Sequence, residues 1–184
     1  MKSYLKITAV GAVLALLLGG CGATTATIYL LSEKPHEGAQ KIGCEEYLMP
    51  VTTTVSGSEV LKASLTALLQ AKPADYGADL TTASAFKDGV FEVDDVSDPE
   101  QPTNSDQIHV YLKRVVGKGL AGVCDTPRVK NQITETVRAY AVQKHAPFTI
   151  ALDGTMKNWE CLGDESGRCQ DSAKPAVKSP GRRK

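Results

Sequence analysis

Residues 122–143 read GVCDTPRVKNQITETVRAYAVQ. The apolar side chains of this stretch recur at intervals of four, four and three residues, the period of one helix face, at Val129, Ile133, Val137 and Tyr140. Asp125 or Thr126 suits the N-cap position, and Pro127 suits the first helical position. The sequence therefore predicts an amphipathic helix from about Pro127 to Gln143 that packs on an apolar core.

Two side chains at the start of this helix, Cys124 and Arg128, are candidate functional groups. A cysteine at the positive end of a helix is well placed for catalysis when a histidine accompanies it. No pattern marks His109 or His145 as that partner, so a structural cystine is the favoured interpretation of Cys124. A cation near a helix N-terminus is mildly unfavourable. We therefore expect Arg128 either to pair with a carboxylate or to contact a ligand.

A strand and a second helix are predicted in the first half of the chain. Residues 47–55, YLMPVTTTV, are rich in β-forming side chains, and Pro50 marks an edge or a bend. Ser56 and Glu59 fit a capping box ahead of an apolar run at helical spacing. That run consists of Val60, Leu61, Leu65, Leu68 and Leu69. Pro73 closes the predicted helix.

Further β-segments complete the pattern. Residues 80–86 and 90–96 flank an Asp-Gly pair, which predicts a hairpin. Residues 108–113 alternate strictly, with Ile108, Val110 and Leu112 on one face. Phe148–Leu152 is the last predicted strand. The order strand-helix-hairpin-strand-helix-strand predicts an α+β fold with a mixed sheet of about four to five strands and two helices on one face.

The N-terminus carries the features of a secretory signal. Residues 1–22 read MKSYLKITAVGAVLALLLGGCG, with basic Lys2 and Lys6 before an apolar run at 7–18. The sequence LGGC at its end resembles the lipobox of bacterial lipoproteins, in which the cysteine, here Cys21, becomes the lipidated first residue of the mature chain.

An uncleaved membrane helix is the alternative interpretation of this segment. No charge appears from residue 7 to residue 32, and a run of that length is long enough to span a bilayer. The lysines would hold its start in the cytoplasm. Both interpretations place the following domain on the outer face of a bacterial-type membrane.

The chain has 5 cysteines, and an oxidising compartment permits disulfides between them. If Cys21 carries lipid, the other four allow 3 pairings. Proximity favours Cys161 with Cys169 across a loop rich in turn-forming residues, which leaves Cys44 with Cys124. Because the cysteines form no tight pairs and the histidines are scattered, no metal site is expected.

The composition limits the classes of partner. Lys+Arg and Asp+Glu are both 21, so the chain has no net field that would attract nucleic acid. The predicted organisation is an anchor at residues 1–31, a tether at 32–43, a disulfide-stapled domain at 44–170 and a basic, disordered tail at 171–184.

Five segments of this domain fall in a familiar order. They read YLMPV at 47–51, VLKASLTALL at Val60–Leu69, DGVFEVD at 88–94, QITETV at 132–137 and IALDG at 150–154. The set resembles the GerMN module, the sporulation and spore germination domain of bacterial envelope proteins. The chain departs from that family in two places: Ala71-Lys72-Pro73 stands where Gly-Pro is usual, and no Ile-Pro follows residues 80–82.

The resemblance implies a non-enzymatic α+β domain carried on membrane-anchored lipoproteins. Members of the family are associated with spore-envelope assembly and germination, and others with envelope sensing or cell-wall contact. The resemblance supplies no catalytic residue and no cofactor. We therefore expect a membrane-anchored, extracytoplasmic module that binds an envelope protein or a cell-wall polymer.

An exported hydrolase or wall-modifying enzyme is the alternative function. The sequence holds no G-x-S-x-G nucleophile motif. Asp94 and Asp95, followed by Asp98 and Glu100, fit a solvated acidic loop better than a calcium site, which needs a defined loop of oxygen ligands.

Overall fold

The protein has an α+β fold, as the sequence predicts. A computed structural model describes residues 22–97, 107–120 and 122–164. The strands of this part of the chain are β1 (Ala23–Ser32), β2 (Gln40–Lys41), β3 (Tyr47–Ser56), β4 (Leu80–Thr81), β5 (Phe91–Ser97), β6 (Ile108–Arg114) and β7 (Phe148–Leu152). The helices are α1 (Val60–Leu69), α2 (Ser84–Lys87), α3 (Asp125–Lys144) and α4 (Met156–Glu160), and a 3-10 turn covers Pro73–Asp75.

The strands form two sheets rather than the one mixed sheet that the sequence predicts. The first has the order β2-β3-β1-β4, and its pairs are antiparallel. The second has the order β5-β6-β7, with β5 antiparallel and β7 parallel to β6. Apolar side chains from both sheets and from α1 and α3 form one core, which includes Ile28, Leu61, Ile108, Ile133 and Ile150.

Strand β1 accounts for this difference, and it shows that the predicted anchor boundary is wrong. Residues 23–31 were assigned to the anchor, but they pair with β3 over the whole of Ala23–Ser32. Ile28 and Leu30 have no solvent exposure and join the core. The predicted tether at 32–43 also belongs to the domain, because it contains β2 and the buried Ile42.

Within the described residues, no helix combines the length and apolar character needed to cross a membrane. Residues 1–21, which hold the lipobox-like sequence, lie outside that part of the chain. The predicted basic tail at 171–184 also lies outside it.

The predicted hairpin at 80–96 is wrong. Strand β4 ends after two residues, and Ser84–Lys87 forms the short helix α2 instead of a strand. The Asp-Gly pair ends that helix, with Gly89 at a φ of 61°. Strand β5 then pairs with β6 and not with β4. The Asp-Gly pair therefore marks a turn, but the turn ends a helix and does not join two strands.

The helices and strands predicted from periodicity are confirmed. Leu61, Leu65 and Leu68 face the core from α1, and Ile108, Val110 and Leu112 face it from β6. The capping box is wrong, because Glu59 is the N-cap of α1 and makes no side-chain capping bond.

Helix α3 begins at Asp125, and its N-cap is Cys124, which also makes no side-chain capping bond. The carboxylate of Asp125 instead accepts hydrogen bonds from the backbone N–H groups of Ser84 and Ala85, at 2.9 and 3.1 Å. These are the first N–H groups of α2, so a residue of one helix caps another.

The predicted long-range disulfide is confirmed. Cys44 and Cys124 are bonded, with their Cα atoms 5.9 Å apart. The bond joins the turn between β2 and β3 to the start of α3 across a sequence separation of 80. In the chain-entropy model a loop of that length is worth roughly 4 kcal/mol of stability. Cys161 is also disulfide-bonded, whereas Cys169 lies outside the described residues, so their pairing stays a prediction.

Candidate functional site

Arg128, the residue predicted to meet a carboxylate or a ligand, pairs with a carboxylate. Its Nε lies 2.6 Å from Oε2 of Glu46, whose side chain is only 7% exposed. This hydrogen bond raises the pKa of Arg128 above its ordinary value, so the guanidinium stays charged. The ion pair lies next to the Cys44–Cys124 disulfide in sequence, and both connect the β2–β3 turn to α3. Arg128 therefore has a structural role here.

The structure does not bring a nucleophile and a base together at the positions considered from the sequence. Cys124 is half of a disulfide, and Nδ1 of His109 contacts the hydroxyl of Thr149 at 2.8 Å. Within residues 22–97, 107–120 and 122–164, no cluster of three or more His, Cys, Asp or Glu side chains is arranged to hold a metal ion.

Gln132 makes the central polar contact of the fold. Its side chain has no solvent exposure. The amide nitrogen donates to the carbonyl oxygen of Tyr29 at 2.8 Å and to the hydroxyl of Thr82 at 3.3 Å. The amide oxygen accepts from the N–H of Ala83 at 2.9 Å. One side chain of α3 thus holds β1 and the segment between β4 and α2.

Thr136, one turn later on α3, makes a second contact with the same strand. Its hydroxyl accepts a hydrogen bond from the N–H of Tyr29 at 3.2 Å. Both backbone polar groups of Tyr29 therefore point toward α3 and away from β3. The register agrees, because Tyr29 lies opposite Pro50, which has no N–H to donate. Tyr29 therefore directs its backbone N–H and C=O groups to the edge of β1 that faces α3.

Strand geometry extends this observation along β1. In an antiparallel pair, successive residues direct their backbone groups to opposite edges. Thr25 and Thr27 therefore direct their N–H and C=O groups to the same edge as Tyr29. Strand β4 covers this edge at Leu31 and Ser32, and α3 covers it at Tyr29. In the described part of the chain, no strand pairs with residues 23–28 on this edge.

The open edge lines a groove of about 610 Å³. Strand β1 forms one wall and the second half of α3 forms the other, with the start of α1 and the end of β5 completing it. Ala139 and Tyr140 stand on α3 beyond Thr136. Ala139 has no polar side-chain atom, so it offers the strand edge no hydrogen bond of the kind that Gln132 and Thr136 make. Gln143 and Lys144 line the groove farther along the helix.

The opposite edge of the first sheet has a different character. Strand β2 covers β3 at Tyr47 and Leu48, and Pro50 lies farther along β3. Proline has no N–H to offer an incoming strand and blunts a sheet edge. Residues 23–32 contain no proline. The β1 edge is therefore the better formed of the two for binding.

No family model, no curated protein and no solved structure matches this chain.

Sequence reasoning missed the groove and the two polar residues that hold α3 against β1 beside it. Gln132 and Thr136 belong to the segment QITETV, which was noted for its resemblance and its helical period. The available signal was two polar residues four positions apart among the buried positions of α3. Such residues need partners, and an uncovered strand edge is one source of them.

Replacing Gln132 by leucine is expected to destabilise the fold by about 2–4 kcal/mol. The substitution leaves the N–H of Ala83 and the carbonyl of Tyr29 without this partner, and each buried unpaired polar group costs about 1–3 kcal/mol. Urea unfolding measures the change. Gln143→Leu, an exposed position on the same helix, is the control and should change stability by less than about 0.5 kcal/mol. Equal stability of the two variants would contradict the role given to Gln132.

Proposed function

We propose that this chain is a non-enzymatic module, anchored to the outer face of a membrane, that binds or scaffolds a component of the cell envelope. The observation that carries the proposal is the groove along the open edge of β1. It combines backbone groups of β1 that no strand in the described part of the chain covers with apolar side chains in a concave surface, which is the character of a binding site. The buried side chains of α3 hold its walls in place.

The resemblance to the GerMN module supports the same kind of function. The segments that carry the resemblance lie on β3, α1, β5, α3 and β7, and those on α1, β5, α3 and β7 contribute buried side chains to the core. Two of the residues in QITETV, Gln132 and Thr136, fix α3 against β1.

An extracytoplasmic location is supported by the disulfide between Cys44 and Cys124. Structural disulfides persist in oxidising compartments and are rare in the cytosol. The lipobox-like sequence ending at Cys21 supports export as well.

The position of β1 favours the lipid anchor over the uncleaved helix. Because β1 begins at Ala23, only residues 7–22 are left as an apolar run before it, and this is shorter than the roughly 20 residues that a membrane-spanning helix needs. A lipid on Cys21 would leave Gly22 alone between the anchor and the first strand. The domain would then lie directly on the membrane surface.

Mass spectrometry of the chain purified from membranes of a lipoprotein-processing host tests the anchor. We expect the mature chain to begin at Cys21 and to carry a mass increment equal to that of a diacylglycerol. Cys21→Ser should abolish both the cleavage and the lipid and is the matched control. Recovery of the unchanged chain with an intact N-terminus, or without lipid, would contradict the lipid-anchored form.

Photocrosslinking in cells tests the binding function. A photoreactive amino acid in place of Gln143, which lines the groove, should give a discrete adduct with an envelope protein or wall polymer. The same amino acid in place of Val116, which is 97% exposed and does not line the groove, is the control and should give none. Turnover of a wall substrate by the purified protein, abolished by one point mutation, would instead support the hydrolase.

A further inference from the structure

We propose that the open edge of β1 binds an extended peptide segment of a partner protein, which joins the first sheet as an added strand. This inference rests on the proposed binding function and names the chemistry of the partner. It selects a protein segment over a wall polymer.

The backbone groups of the edge select an extended peptide. Thr25 and Thr27 present N–H and C=O groups two residues apart, the repeat of an extended chain. Another extended chain presents complementary groups at the same repeat. Main-chain hydrogen bonds of this kind provide the affinity when a peptide adds to a sheet edge. Sugar polymers and lipid headgroups do not carry an amide and a carbonyl at this repeat.

The surroundings of the edge select a single strand over a second folded domain. Helix α3 and the start of α1 flank the edge, so the site is a groove between two walls, which suits one extended segment. The groove volume of about 610 Å³ lies within the range of sites that enclose a small ligand or a short peptide segment. A segment spanning residues 23–27 of the edge fits this description.

The sheet already contains the beginning of the proposed pairing. Strand β4 pairs antiparallel with Leu31 and Ser32 on the same edge, and an added strand alongside residues 23–27 would continue its line. Side chains along the groove would contact every second residue of the bound peptide, because successive side chains of a strand point to opposite faces. Val60, Val96 and Ala139 offer apolar contacts, so we expect an apolar peptide residue at every second position.

A random dodecapeptide library displayed on phage is the first probe, applied to the full chain in detergent. Enriched peptides are synthesised in two N-methylated forms, one methylated at the odd and one at the even positions of the bound stretch. Only one of the two sets faces β1, so only one form should lose affinity, by at least about tenfold, while the other changes by less than about threefold.

A pair of proline variants tests the same edge from the protein side. Thr27→Pro removes the N–H that points into the groove and should weaken peptide binding by at least about tenfold. Thr52→Pro is the matched control, because Thr52 lies opposite Thr27 and points to the outer edge of β3. It should change the affinity by less than about twofold. If Thr27→Pro fails to fold, the N-methylated peptides on the unchanged protein decide the question.

The outcomes separate this inference from the proposed function. Equal losses for both N-methylated forms, equal losses for both proline variants, or a library that yields no binder would overturn strand addition. A crosslinked partner from Gln143 together with any of these results would leave the binding function standing and reject this mode of binding. Failure of the crosslinking and of the library together would reject both.

Discussion

The buried amide of Gln132 is the contact that fixes helix α3 against the first sheet. It binds Tyr29 of β1, Thr82 and Ala83 in one cluster that is closed to solvent. A buried amide without partners is costly, so α3 is stable only where all of these groups meet. This requirement fixes the position of α3 along β1. Asp125 adds a second attachment at the start of the same helix, through the N–H groups of α2.

The open edge follows from the same helix. Gln132 and Thr136 bond to both backbone polar groups of Tyr29, and Ala139, which lines the groove farther along α3, has no polar side-chain atom. The groove between α3 and β1 is therefore positioned by the contacts that hold this helix on the strand.

Periodicity in the sequence was sufficient to predict the helices and the strand that pack one apolar face on the core. Helices α1 and α3 and strand β6 carry apolar side chains at the repeat of their secondary structure, and each lies where the pattern predicts. Strand β1 was missed because its uncharged residues continue the apolar run at 7–18, and composition alone does not separate a buried strand from a predicted anchor. The predicted hairpin is wrong for a related reason. The turn before β5 does not determine which strand β5 pairs with, and β5 pairs with β6. The groove was beyond prediction because it depends on which strand is absent from an edge, and that is a property of the whole topology.

Residue-resolved amide hydrogen exchange along β1, in the full chain without a partner, shows whether the edge of this strand is open. The account predicts slow exchange for Ala26 and Ile28, whose N–H groups point to β3, and for Tyr29, whose N–H binds Thr136. It predicts that Thr25 and Thr27 exchange at least about 100-fold faster, because their N–H groups point into the open groove. Exchange at Thr25 and Thr27 as slow as at Ala26 and Ile28 would show that the edge is already covered, by another part of the chain or by a second copy, and would contradict the account.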